Sequence, residues 1–407
     1  METWRKLPLE LWNYIIELAY QNGDGDWNAA RRASQVCRCW RDMLLSIPSI
    51  WQNVEMYEHD LNEHDIRLSF ALFVKTIRDR SKDRIKNVKV ILRETKVPGV
   101  AIRTLLDDDK LDKIVVQYTE SFNGPFFAPP TCKALEAYST HTRNDAVIIQ
   151  NNHFESVRLK NVLPWSVNAD DGISNGLKHL SIDLQERSKD KMTAYTISQC
   201  KDLETLHLEN LNFSLHVPVV LNKLKKLSLV GSETLLKYLE APSLDVATIY
   251  GLRDSSSYLS YLDVRPLRYL RIQVDDISDV TSSAFTNEFE NLEVLQIDNN
   301  IPVDCPDARD LLKHILLKKA TAKLKAIKIS SGYHNISPIL RAPQNLSKIE
   351  EFVVEDADRF TTDASKDLDD IEWLKKNIPK LHHGNYCNYD KKDSYFPITF
   401  SFDNVIA

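Results

Sequence analysis

Glycine is scarce in this chain, with ten in 407 residues, where ordinary soluble proteins carry about 7%. That scarcity argues against glycine-loop nucleotide folds and against barrels built from many tight turns. Long apolar runs are lacking too. None approaches the roughly 18 residues of a membrane-spanning helix, and the opening METWRKLPLE does not read as a secretory leader. The six cysteines, at 37, 39, 132, 200, 305 and 387, form no C-x-x-C pair and are too sparse for a disulfide framework. Reduced thiols in the cytoplasm or nucleus are expected, with no bound metal and no cofactor. The phosphate-binding G-x-x-x-x-G-K-[ST], the H-E-x-x-H pair and the zinc-deaminase signature are missing as well. His59, Asp60, Glu63, His64 and Asp65 cluster, but a histidine spacing of five suits neither one helix face nor a metal site. Capping and solvation are their expected role, and His382 and His383 are assigned to a polar C-terminal stretch likewise. The net charge is −6, and the basic stretch 75–96 lacks interleaved aromatics, so nucleic acid is not an expected partner.

What is present is distributed unevenly. The length exceeds the roughly 250–300 residues at which a single core stops growing, so two domains or an elongated fold are required. Five of the seven tryptophans, Trp4, Trp12, Trp27, Trp40 and Trp51, fall in the first 51 residues. A segment of about 50 residues cannot bury that much apolar surface alone. Pro8 suits a first helical turn. After it, Leu11, Ile15 and Leu18 form one apolar stripe, with Trp12, Ile16 and Ala19 beside it. A loop over 21–26 separates this helix from a second, expected to start near Asn28 and to end before Pro48. Ala29, Ala33, Val36, Cys37, Trp40 and Leu44 would share its apolar face.

These residues resemble the F-box. Leu7, Pro8 and Glu10 match its opening, Ile15 and Ile16 its first-helix pair, Val36-Cys37-Arg38 with Trp40 and Arg41 its second segment, and Ile50-Trp51 its close. The inter-helix loop is about six residues longer than in the shortest family members. The resemblance implies docking onto the Skp-type adaptor of a cullin–RING ubiquitin ligase. Carried over by position, the adaptor-binding residues are Leu7, Pro8, Leu11, Ile15, Val36, Cys37 and Trp40. A helical cap over the next domain is the plain alternative, and it requires neither motif segment.

The rest of the chain repeats. An apolar residue, another three on and a third two beyond recur in twelve copies, from Ile85-Val88-Val90 to Ile349-Phe352-Val354. Leu203-Leu206-Leu208 and Leu224-Leu227-Leu229 are strong copies, and Leu135-Tyr138-Thr140 is a weak one. The mean spacing is 24 residues, with gaps from 19 to 32. Residues two apart point to the same side of a strand, and a return segment, helical in places as at 308–320, would carry the chain to the next copy. No copy buries its apolar side alone; stacking makes one core. The pattern is similar to leucine-rich repeats, although the asparagine after the strand is present only as Asn300, and one residue early as Asn161 and Asn210.

The expected fold is therefore α/β: a small helical F-box at 1–55, a helical linker at 56–84 (Leu61 to Arg80), an irregular leucine-rich-repeat solenoid at 85–360, and a C-terminal cap and tail at 361–407, with Ile371, Trp373 and Leu374 in the cap. About twelve parallel strands would line the concave face. That face offers target-binding candidates Arg158, His179, His207, Glu209, Tyr250, Tyr269 and Arg271, beside Lys89, Lys113, Lys160, Asp183, Asp298, Glu351 and Glu355. Residues 75–96 hold nine Lys/Arg against three acids, and 355–372 hold eight acids against two bases. Such charges are either a solvated face or a gradient that orients a target, with Tyr250, Tyr269 and Arg271 as anchors. The implied function is non-catalytic: a substrate-recognition subunit that joins the adaptor, cullin and RING subunits to a protein target. A repeat scaffold or inhibitor acting without a ligase is the alternative. A GTPase-activating repeat protein would need an exposed catalytic Arg or Asn on a regular stack.

Overall fold

Backbone pairing carries the architecture, because the last two residues of each apolar triplet sit on a short strand that is incomplete without neighbours. The computed structural model describes residues 8–22, 32–47, 50, 52–57, 86–92, 111–118, 123–127, 132–140, 145–150, 154–165, 176–189, 191–214, 218–252, 256–274, 289–299, 323–330, 349–355, 372 and 374–384. They belong to two units, 1–177 and 178–407.

The first unit opens with helices Leu9–Asn22 and Arg38–Ser46. Its main sheet is parallel, with β1 (Asn53–Tyr57), β2 (Asn87–Leu92), β3 (Lys113–Tyr118), β5 (Ala134–Ser139) and β7 (Ser156–Lys160) in sequence order. Between them the chain crosses a second parallel sheet of β4 (Asn123–Phe127), β6 (Asp145–Gln150) and β8 (Val162–Trp165).

The second unit continues the same plan. Its main sheet runs β9 (His179–Lys189), β10 (Thr205–Asn212), β12 (Lys226–Val230), β14 (Val246–Leu252), β15 (Tyr269–Val274), β16 (Val294–Asn299), β17 (Ala326–Ser330), β18 (Glu351–Glu355) and β19 (Lys380–Gly384), all parallel. The return segments carry the helix Lys191–Gln199, a short pair of strands β11 (Val219–Val220) and β13 (Leu239–Glu240), and a 3₁₀ turn, Glu233–Lys237. Each unit is thus a parallel-strand repeat stack with few helices. Among the described residues, no helix is long and apolar enough to cross a membrane.

Most triplets land as expected. Leu206, Leu227, Ala247, Leu270, Leu295 and Ile327 align across the second unit, all fully buried. Three expectations change. The weak copy is misregistered: Leu135 pairs with Ile114 and Ala137 with Val116, so the triplet is Cys132-Leu135-Ala137, all buried, while Thr140 is exposed. Cysteine and alanine are weak apolar signals, and Leu135 dominates the local pattern. Next, β1 lies in the close of the expected F-box and the head of the expected linker, pairing Val54 with Val88 and Met56 with Val90. Third, β19 extends the sheet beyond 360, with Leu381 against Phe352, so His382 and His383 belong to a strand and not to a solvated tail. The described returns are helical in places, as expected, in the second unit, at Lys191–Gln199, Glu233–Lys237 and Ser256–Leu259, whereas those of the first unit carry the strands β4, β6 and β8. The expected helices at 61–80 and 308–320, the cluster at 59–65, Asn300, Ile371 and Trp373 lie outside the described residues.

Polar side chains complete the turns. Asn161 and Asn210 adopt positive φ (55° and 60°) and donate Nδ2 to Ser139 O (3.1 Å) and Leu184 O (2.6 Å) of the preceding repeat. Asparagine tolerates that backbone region better than most residues. Elsewhere hydroxyls take this role: Ser232 Oγ accepts from Leu211 N at 2.8 Å, and Thr234 Oγ1 from Phe213 N at 2.9 Å.

A charge pattern unseen in the triplets follows directly from their alignment. The residue after each first apolar position reads Lys86, Asp112, Lys133, Glu155 in the first unit. In the second it reads Lys178, Glu204, Lys225, Asp245, Arg268, Glu293, Lys325, Glu350. The sign alternates at every step. The backbone N–H of each second-unit member after Lys178 donates to the carbonyl of the member before it, as Lys225 N to Glu204 O at 2.9 Å. Side chains pair along the same line: Lys133–Asp112 (3.6 Å), Lys225–Glu204 (2.8 Å), Arg268–Glu293 (3.0 Å) and Lys325–Glu293 (3.4 Å). The flanking positions are the uncharged Gln52 and Pro379. Exposed pairs contribute at most about 1 kcal/mol each, so the ladder's greater effect is on order: a repeat beside its next-but-one neighbour would set like charges together.

Hydrogen bonding from Lys225 and from Arg268 holds the Glu204 and Glu293 carboxyls below their usual range. Their folded pKa values are lowered, so the stabilisation is present at neutral pH and fades as pH falls through those values. Lys225→Glu sets three acids in line. We expect it to lose about 1 kcal/mol in urea unfolding at low salt relative to Lys225→Gln, with the gap closing in high salt. Equal stability of the two variants at low salt would refute the ladder's role.

Candidate functional sites

The N-terminal helices pack against each other and leave apolar side chains in water. On the first helix, Leu11 (48% exposed), Tyr14 (61%), Ile15 (45%) and Leu18 (37%) follow the i, i+3, i+4, i+7 spacing of one stripe. Trp12 and Ile16 are half-buried, and Pro8 is exposed. Tyr14 was not anticipated, although its spacing completes the stripe. Leu7 lies outside the described residues.

The expected second helix is interrupted. Residues 34–36 form a turn, and Cys37 is extended (φ −158°), its Sγ accepting from Trp40 N at 3.4 Å to cap the helix that follows. Arg41 Nε donates to Ser34 O across the break at 3.1 Å. A small polar cap at 37 and the buried Ser34 compete with helix continuation. The break leaves Val36 in solvent, 68% exposed, with Cys37 and Cys39 exposed and Trp40 half-buried. Met43, Leu44, Ile47 and Ile50 point inward and are buried.

The second candidate surface is the side of the main sheets opposite the triplets. In the first unit it is a mesh of ion pairs, with Lys89 Nζ 2.6 Å from Glu55 Oε1 and Lys113 Nζ 2.8 Å from Glu136 Oε1. Tyr138 OH donates to Glu136 Oε2 at 2.7 Å. Arg158 is half-buried on β7. In the second unit, His179 stands on β9, and His207 and Glu209 on β10, all half-buried. His207 Nδ1 lies 2.9 Å from Ser228 Oγ.

Tyr250, Tyr269 and Arg271 come together. The guanidinium of Arg271 stands 4.9 Å from the Tyr250 ring centroid, and its Nε donates to Asp298 Oδ2 at 2.6 Å. Gln296 Nε2 donates to Asp298 Oδ1 at 2.9 Å, and Tyr269 OH donates to Gln296 Oε1 at 3.0 Å. Burial raises the Tyr250 phenol's pKa, against the opposing pull of Arg271. Burial pulls the Arg271 guanidinium down, but Asp298 and the tyrosines outweigh it and the net direction is up. Tyr269 is not the exposed anchor the sequence suggests. It is 4% exposed and packs with Val246, Val294, Ala326 and Val353 in an apolar cluster on this face. Glu351 is fully buried there, with His382 Nε2 3.5 Å away.

Among the described residues, no group of three His, Cys, Asp or Glu side chains could hold a metal. The chain is expected to lack G-x-S-x-G, yet Gly172-x-Ser174-x-Gly176 has the spacing of a nucleophile elbow. It leads into strand β9, where such an elbow needs a helix. Burial pushes the thiols of Cys132 and Cys200 each up to about 12, so both stay protonated and unreactive at neutral pH. Iodoacetamide should label Cys37 and Cys39 in the folded protein, and Cys132 and Cys200 only after denaturation, as read by peptide mass spectrometry. Comparable native labelling of Cys200 and Cys39 would contradict this placement.

No protein-family model and no curated protein matches this chain.

Proposed function

We propose that this chain is the substrate-recognition subunit of a Skp–cullin–F-box ubiquitin ligase. In this reading, residues 1–55 dock the Skp-type adaptor, and the repeats, with the leucine-rich triplet pattern, hold a protein target. The observation that carries it is the apolar stripe Leu11, Tyr14, Ile15 and Leu18 standing in water together with Val36. Of the seven large apolar side chains exposed among the described residues, five lie in this short segment, where the F-box resemblance places the adaptor contacts. A cap over this chain's own repeats would bury them. Side chains of this kind become anchors when a partner covers them.

The mechanism is proximity. A target held on the repeats meets a ubiquitin-charged enzyme, bound elsewhere on the assembly, at high effective concentration. The chain then breaks no bond itself, and its place of action is the cytoplasm or nucleus.

Co-expression with a Skp-type adaptor tests the assignment. The wild-type chain should co-elute with the adaptor in size-exclusion chromatography, and the adaptor should shield Cys37 from alkylation. Leu11→Asp with Ile15→Asp should weaken the complex by at least about a hundredfold, since each buried aliphatic side chain contributes about 1.5–3 kcal/mol. The thermal unfolding of the repeats should be unchanged. A wild-type chain that does not bind the adaptor would sink the ligase reading.

A further inference from the structure

Two nearby arginines, Arg265 and Arg271, are each held by an aspartate, but in different ways. Arg265 is clamped side-on, with Nε 2.9 Å from Asp263 Oδ1 and Nη2 2.7 Å from Oδ2. Its fork is filled. Arg271 is held through Nε alone, by Asp298 Oδ2 at 2.6 Å. Among the described residues, neither of its terminal nitrogens has a hydrogen-bond partner, so one edge of a planar fork is left available.

The frame behind that fork is unusually complete for a surface arginine. Asp298 and Gln296 are buried and bonded to each other, and Gln296 is fixed in turn by the buried Tyr269. Tyr250 lies beneath the guanidinium. A solvated arginine needs no such support, whereas one that must meet a planar group in a set orientation does. The Arg271 side chain is 23% exposed, enough to be reached and dry enough to strengthen a charged hydrogen bond. The cross-strand row through it reads Ser228, Thr248, Arg271, Gln296, Lys328, with two cations and no carboxylate.

We propose that Arg271 is an anion-recognition point for the target: its open edge takes one carboxylate or phosphate group carried by an extended segment lying across strands β14 to β17. A guanidinium fork matches both anions in geometry, and an ammonium does not. Asp298 and Tyr250 act as positioning residues. This inference rests on reading the repeats as the target-binding part of the chain.

The test uses the full chain labelled with ¹⁵N-arginine, with the Arg271 resonance assigned by its loss in Arg271→Gln. Capped glycine peptides with a central Asp, phosphoserine or Asn are titrated in. Either anionic peptide should shift the Arg271 signal saturably, and which one does so identifies carboxylate or phosphate as the recognised group. The Asn peptide should not. By fluorescence anisotropy, Arg271→Lys should weaken anionic-peptide binding by roughly tenfold. Tyr250→Leu, which keeps the guanidinium but removes its support, should weaken it by a smaller factor while unfolding at a wild-type temperature. The proposal is overturned if neither anionic peptide moves Arg271, if the Asn peptide moves it equally, or if Arg271→Lys binds as tightly as wild type. Adaptor co-elution is read on the same samples. Adaptor capture without an anion response rejects this site alone, and an anion response without adaptor capture rejects the ligase assignment alone.

Discussion

Lateral pairing of short parallel strands is the constraint on which everything else rests. A strand of five or six residues with two inward apolar side chains has too little surface to fold alone. Beside an equivalent strand in the same register, it closes a layer of core such as Leu206, Leu227 and Ala247. Register then becomes the critical variable, because a one-residue slip would turn every leucine to the opposite side. Apolar contacts reward pairing without naming the partner, since one leucine layer fits another. The alternating column from Lys178 to Glu350 adds that information, and the asparagine and hydroxyl bonds between turns fasten neighbours once chosen.

The two candidate surfaces differ in kind, and the difference bears on what each can do. On the N-terminal helices the exposed groups are aliphatic and aromatic, suited to a partner that covers a large area and gains by excluding water. On the second unit's sheet the apolar groups are already packed, and what remains accessible is polar and oriented. In the function proposed above, the first surface would take the subunit contact and the second the charged feature of a target. Burial keeps the thiols of Cys132 and Cys200 protonated at neutral pH.

Legibility followed signal strength. Leucine-rich triplets such as Leu203-Leu206-Leu208 are legible directly, because the last two strong apolar residues, two apart, share one strand face and the first marks its approach. Cys132-Leu135-Ala137 was misread by three residues, since its flanking members are small and its one leucine takes the middle place. Strands β1 and β19 were missed for a related reason. Their ladders include Asn53 and His383, and only pairing with β2 and β18 shows them to be strands. The break before Arg38 turned on a cysteine acting as a cap, a role that apolar periodicity does not register.

By itself the sequence determined the repeating strand unit, its period and the greasy character of the opening helices, because these depend on residues close together in the chain. Only tertiary structure decided which side chains remain accessible. Tyr269 and Arg271 are two residues apart on one strand and look equally available in the sequence. Yet one is sealed among Val246, Val294 and Val353, and the other keeps an open edge, because neighbouring strands bring different groups against each of them.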